Sequence, residues 1–189
     1  VAEEAVVEKS AKDSVLTNMY GSFASAGSGT QEFITLENEL LKIKISNKGG
    51  RVYSVELKDY KTYSQEPLIL FDGDSTVFGL NFFSHNKSIM TNDLFFVAEN
   101  KSSNSVKMRL YAGDNRYIEY AYSLNPDSYM VDFDINFVGI NEVIASNLSV
   151  LDLKFSMYSP QQEKGTKNEN QYTTMGYKSS VCSGIIMPA

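Results

Sequence analysis

Between Tyr129 and Phe137 apolar and polar side chains alternate, with Met130 the exception on a mostly polar face. Tyr129, Val131, Phe133, Ile135 and Phe137 share one face, and Met130, Asp132, Asp134 and Asn136 share the other. A period of two belongs to a strand with one face buried. A slip of one residue would carry Asp132 and Asp134 into the interior, so the register is strongly specified. Upstream, Ile118, Tyr120, Tyr122 and Leu124 form a matching apolar face. The pattern recurs at Leu41, Ile43 and Ile45, which alternate with Lys42, Lys44 and Ser46. A return strand follows, with Val52, Ser54 and Glu56 set against Tyr53, Val55 and Leu57. Between the two, Asn47-Lys48-Gly49-Gly50 reads as a structural turn centred on Asn47, Gly49 and Gly50, because glycine takes positive φ without steric cost.

These runs predict strands at 33–36, 40–46, 51–59, 68–71, 77–83, 94–98, 105–111, 117–124, 129–138, 147–155 and 172–177. Turn clusters such as Asp72-Gly73-Asp74 and Asn125-Pro126-Asp127 punctuate them. No segment after residue 33 sustains a helical period, and 12 Tyr with 11 Phe supply β-formers. The class expected is all-β, an antiparallel sandwich with its two sheets about 10 Å apart. The polar run 159–171 reads as a long exposed loop. Residues 1–31 read as a flexible N-terminal tether and 32–189 as the domain. In the tether Val15, Leu16, Met19, Tyr20 and Phe23 have helical spacing, which leaves a short helix or no ordered turn equally open.

Net charge is −6 and Lys and Arg are scattered, which argues against a phosphate-binding face and hence against nucleic acid. Cys182 is the one cysteine, so no internal disulfide forms. No apolar run approaches the length of a membrane span. The chain begins at Val1 and lacks the order of a signal peptide, as expected of a sequence trimmed of a targeting or membrane segment.

The strand at 33–36, the second strand ending in Gly49-Gly50 and the third strand running into a Tyr-containing loop resemble the periplasmic domain of YidC-type membrane protein insertases. The run 110–139, LYAGDNRYIEYAYSLNPDSYMVDFDINFVG, is similar to that family's central hairpin. The resemblance spans about residues 33 to 177. It implies a large twisted supersandwich of the mutarotase class, located in the periplasm as part of an inner-membrane protein. It also implies a non-catalytic role in insertion and folding of inner-membrane proteins, with a surface for Sec translocon-associated partners or nascent membrane-protein segments. Contact with the membrane would come through parent-protein helices outside these residues. The ending SSVCSGIIMPA departs from the family, where further strands follow. A truncated piece, a shortened natural protein and a gene with an altered end all remain open.

Chemistry is sparse. Asp132, Asp134 and Glu119 could form a carboxylate group for glycoside chemistry, but carboxylates at period two read first as a solvated sheet face. Asp72-Gly73-Asp74-Ser75-Thr76 lacks the closing Glu of a calcium loop. His85, the sole histidine, sits in Ser84-His85-Asn86-Lys87, which reads as loop, whereas a catalytic histidine needs a partner and a cleft. Cys182 has no nucleophile setting in the sequence. No catalytic residue, cofactor or metal is therefore expected. Tyr117, Tyr120 and Tyr122 are the candidates for a binding face, with core packing the commoner use of Tyr120 and Tyr122. The competing reading is a carbohydrate-binding or carbohydrate-active sandwich; a single histidine cannot supply the paired histidines of a mutarotase.

Overall fold

The structure, a computed structural model, describes residues 11, 13–73, 76–144 and 151–172. Eleven strands are formed among them: β1 (Phe33–Glu37), β2 (Leu41–Ser46), β3 (Arg51–Lys61), β4 (Pro67–Asp72), β5 (Val77–Ser84), β6 (Lys87–Met90), β7 (Val97–Glu99), β8 (Ser105–Tyr111), β9 (Tyr117–Leu124), β10 (Val131–Val138) and β11 (Asp152–Ser156). They make three antiparallel sheets, ordered β1-β2-β3-β4, β10-β9-β8-β7 and β11-β5-β6. The fold is an all-β antiparallel sandwich. The β7–β10 sheet packs on the other two. Tyr122 Oη donates to Gly50 O at 2.8 Å, and the Tyr120 ring lies edge-on to Phe78 at 6.1 Å.

Alternation decides which faces meet. Ile118, Tyr120, Tyr122 and Leu124 are buried along β9, opposite Phe137, Ile135, Phe133 and Val131 of β10 in an unbroken register. Leu41, Ile43 and Ile45 are buried along β2. The return strand departs from simple alternation. Lys44 pairs with Ser54 but Ile45 with Val52, so a bulge inserts one residue of β3. Such an insertion shifts the side-chain alternation locally; beyond it Val55 pairs with Ile43 and is buried with it.

The turn between β2 and β3 has positive φ at Gly49 (80°) and Gly50 (60°). It is anchored on all sides. Gly49 N donates to Leu94 O at 2.8 Å, Phe96 N to Asn47 O at 2.8 Å, and the Asn47 amide to Thr30 O at 3.0 Å. A Cβ on Gly50 would stand 2.8 Å from the Phe96 ring. A Gly50→Val variant should therefore melt well below the parent, since the site forbids both the side chain and its φ. Thermal unfolding checks this; an unchanged midpoint would count against the turn as described.

Two stretches are more ordered than their sequence suggests. The first lies within the segment 1–31, where the spacing leaves a short helix open. Residues 13–20 are helical, and a 3-10 turn at Gly21–Ala26 buries Phe23 completely against Phe82, with ring centroids 5.8 Å apart. Ala26 O accepts from Phe95 N at 2.8 Å. One aromatic suffices to dock a short segment when a core slot receives it. The loop expected over 159–171 contains a short α-helix, Thr166–Tyr172. Its TKNENQY sequence has no apolar stripe, so periodicity could not reveal it. Before that helix, the chain runs beside β4, where Ser159 Oγ donates to Leu70 O and Gln162 Nε2 to Ile69 O. Of the expected strand 172–177 only Tyr172 is described, and it closes the Thr166–Tyr172 helix; Cys182 falls outside the described residues, as do Asp74 and Ser75 of the oxygen-rich loop.

Candidate functional site: an apolar cleft and a charged sheet face

An apolar cleft of about 410 Å³ opens at one side of the sandwich. Leu41, Val55, Leu57 and Leu70 of the first sheet form its floor, and Val131 at the start of β10 faces them. Tyr60 and Tyr129 stand at the mouth with rings 6.1 Å apart and edge to face. They are 51% and 43% exposed, so each ring offers one face to solvent. Partial burial holds the Tyr129 hydroxyl above its ordinary range, and nearby Tyr60 and Asp59 add to this. The cleft is shaped by groups far apart in sequence. Asn38 clamps one end, its side-chain amide donating to Asn125 O at 2.6 Å and Ser128 O at 2.9 Å. Lys58 Nζ donates to Asn38 O at 2.9 Å and to Glu37 at 3.0 Å, which holds the Glu37 carboxyl below its ordinary range.

On the outer face of β7–β10 lies a charge ladder. Glu119 is only 4% exposed. Arg109 Nε donates to it at 2.8 Å, Lys107 Nζ at 3.1 Å and the Asn136 amide at 3.3 Å. Arg109 also reaches Glu99 at 2.5 Å and stacks over the Tyr117 ring at 4.4 Å, and Glu99 accepts from the Tyr111 hydroxyl. Burial pushes the Glu119 carboxyl up, but the bonds from Arg109 and Lys107 outweigh it and hold the group below 4.5. The sign follows. A carboxylate with a depressed folded-state pKa stabilises the fold above its ordinary value, and that contribution is lost as pH falls through the depressed one. Glu119→Gln should therefore cost about 1.5–3 kcal/mol at pH 7. The gap to the parent should close in strongly acidic solution. Urea unfolding at pH 7 and pH 3 tests this; a gap independent of pH would refute it.

Comparison with known proteins places the chain. The family model for the YidC periplasmic domain matches residues 33–181. The chain belongs to the YidC periplasmic domain family. It is 40% identical over 163 residues to a membrane protein insertase YidC of Azobacteroides pseudotrichonymphae, covering 86% of this chain and 27% of that protein. It is 40% identical over 165 residues to that of Parabacteroides distasonis, covering 86% and 26%. The chain thus spans about a quarter of the length of these curated relatives. A solved GalM/aldose epimerase homologue from C. elegans aligns over 51% of this chain and 42% of its own, at 11% identity and a TM-score of 0.34.

In this YidC periplasmic domain the three tyrosines do not form one face. Tyr120 and Tyr122 are 0% and 4% exposed and belong to the core. Tyr120 Oη bonds Thr91 Oγ1 at 2.9 Å, and burial pushes its hydroxyl up to about 12. Burial, with Tyr120 beside it, pushes the Tyr122 hydroxyl well up as well. Tyr117 has the opposite parity and lies half-buried beneath Arg109 on the outer face. Tyr120 and Tyr122 are therefore withdrawn as binding-face residues. Asp132 and Asp134 are exposed on that same outer face. Glu119 does not join them as a solvated carboxylate; it pairs across strands with Asn136 and is enclosed by Arg109 and Lys107. His85 and Asn86 sit at the β5–β6 hairpin with φ of 45° and 63°, a tight-turn role. Among the described residues no group of three or more His, Cys, Asp or Glu is placed to hold a metal. The exposed pair Tyr60 and Tyr129 was missed because no local pattern links residues so far apart in sequence.

Proposed function

We propose that this domain is the non-catalytic periplasmic part of a membrane protein insertase in the inner membrane. It serves insertion and folding by offering an apolar surface to extended segments of nascent membrane proteins or to Sec-associated partners. The cleft bounded by Tyr60 and Tyr129 carries this reading. It is apolar, open on one side and fronted by two exposed aromatic rings, as a peptide-holding surface requires. The family membership supports the insertase setting. No helix among the described residues is long and apolar enough to cross a membrane.

Titration of the chain with an extended apolar peptide, alongside a Tyr60→Ala/Tyr129→Ala double variant, tests this reading. The variant should bind roughly five- to 150-fold more weakly, since two lost aromatic contacts of roughly 0.5–1.5 kcal/mol each sum to about 1–3 kcal/mol. Its melting temperature should hold, because both rings are exposed. Exposed tyrosines also suit sugar stacking. Saturable sugar binding lost in the double variant, with no peptide binding, would turn the assignment to a carbohydrate-binding module.

A further inference from the structure

Strand β10 is an edge, pairing with β9 alone among the described residues. Edge strands in natural proteins are guarded by lysine, proline, bulges or shortness. This one has eight residues in unbroken register with no lysine, proline or bulge, and its charges are the outward Asp132 and Asp134. Its inner side chains Val131, Phe133, Ile135 and Phe137 are half-buried, although their partners on β9 are fully buried. Among the described residues no further strand covers that inner face. The outer side chains are acidic. Asp134 has no ion pair among the described residues, and Asp132 accepts from the Asn125 amide. The cations on that face, Lys107 and Arg109, are taken up by Glu119 and Glu99.

Building on the proposed peptide-holding role, we infer that the β10 edge accepts an extended segment of a client protein by strand addition. That segment carries apolar side chains on one face and Lys or Arg on the other. Strand addition satisfies the open backbone groups, and the side-chain period sets the specificity. The incoming apolar face completes the cover over Phe133, Ile135 and Phe137, and the basic face answers Asp132 and Asp134. A second copy is a poorer occupant. Every antiparallel self-pairing that keeps the apolar faces together gathers four carboxylates on one side of a two-stranded ribbon, and like charges across strands destabilise.

The 189-residue chain, labelled for NMR, is mixed with the capped peptide KVKFKIKV. Alternate amides of residues 131–138 should exchange more slowly as it binds. A peptide with Glu in place of Lys should bind at least about tenfold more weakly. The Lys peptide should lose that advantage on an Asp132→Asn/Asp134→Asn variant. A peptide with the same side chains, N-methylated at alternate residues in both phases, should not bind. Equal binding by the N-methylated peptides would overturn strand addition while leaving the cleft reading intact. Slowed exchange that rises with protein concentration in the absence of peptide would assign the edge to a second copy and overturn the inference. So would protection of the equivalent strand in the intact Parabacteroides distasonis relative without peptide, which would give the edge to that polypeptide's own remainder.

Discussion

Replacing Phe23 with alanine should lower stability by about 3–5 kcal/mol, the range for deleting a large aromatic from a core. Phe23 is fully buried and meets Phe82 edge to face at 5.8 Å. The neighbouring chain is tied in independently, through Ala26 O to Phe95 N and Thr30 O to the Asn47 amide. The slot is thus held open by its surroundings and cannot collapse onto the missing ring. Met19 on the adjacent helical residues is 53% exposed, and Met19→Ser should stay within about 0.5 kcal/mol. Urea unfolding of the two variants decides where the domain begins. A free tether predicts no change from either. A docked segment predicts a large loss from Phe23 alone, and removal of residues 1–31 should cost at least as much.

The fold was legible wherever one face of an element is wet and the other dry. Strands β9 and β10 show this best, because their alternation runs unbroken and the register follows from it. Legibility failed where the backbone, not the side-chain pattern, decides. The bulge between Lys44 and Ile45 inserts a residue with no sequence mark of its own. The four-residue β6 is too short to show a period, and the Thr166–Tyr172 helix has no apolar face to give one. The site was less readable still. Tyr60 and Tyr129 come together from different sheets, beside the point where Asn38 ties the β1–β2 turn to the β9–β10 turn. Glu119 is enclosed by Lys107 and Arg109 across a strand pair, a placement that needs the register and not the spacing. Parity alone separates Tyr117 from Tyr120 and Tyr122, and it favours the core for the latter two.

Phe133→Asp should abolish cooperative unfolding at room temperature, whereas Asp132→Asn one residue away should leave the melting temperature almost unchanged. Phe133 packs its ring on three others, 4.8 Å from Tyr122, 5.2 Å from Phe78 and 5.5 Å from Tyr120. Its loss removes the burial of a large aromatic, worth roughly 1.5–3 kcal/mol. The carboxylate put in its place must also shed water among aromatic faces with no cation beside it. Together these approach the whole stability of an ordinary domain, about 5–15 kcal/mol. Asp132 points the other way, exposed on the outer face with one hydrogen bond from the Asn125 amide, which an asparagine oxygen can still accept. Circular dichroism melts of the two variants settle the matter. Similar losses from both would mean that β10 does not present Phe133 to the core and Asp132 to solvent. The edge-pairing inference would then fall with that face assignment, since it needs the same two faces.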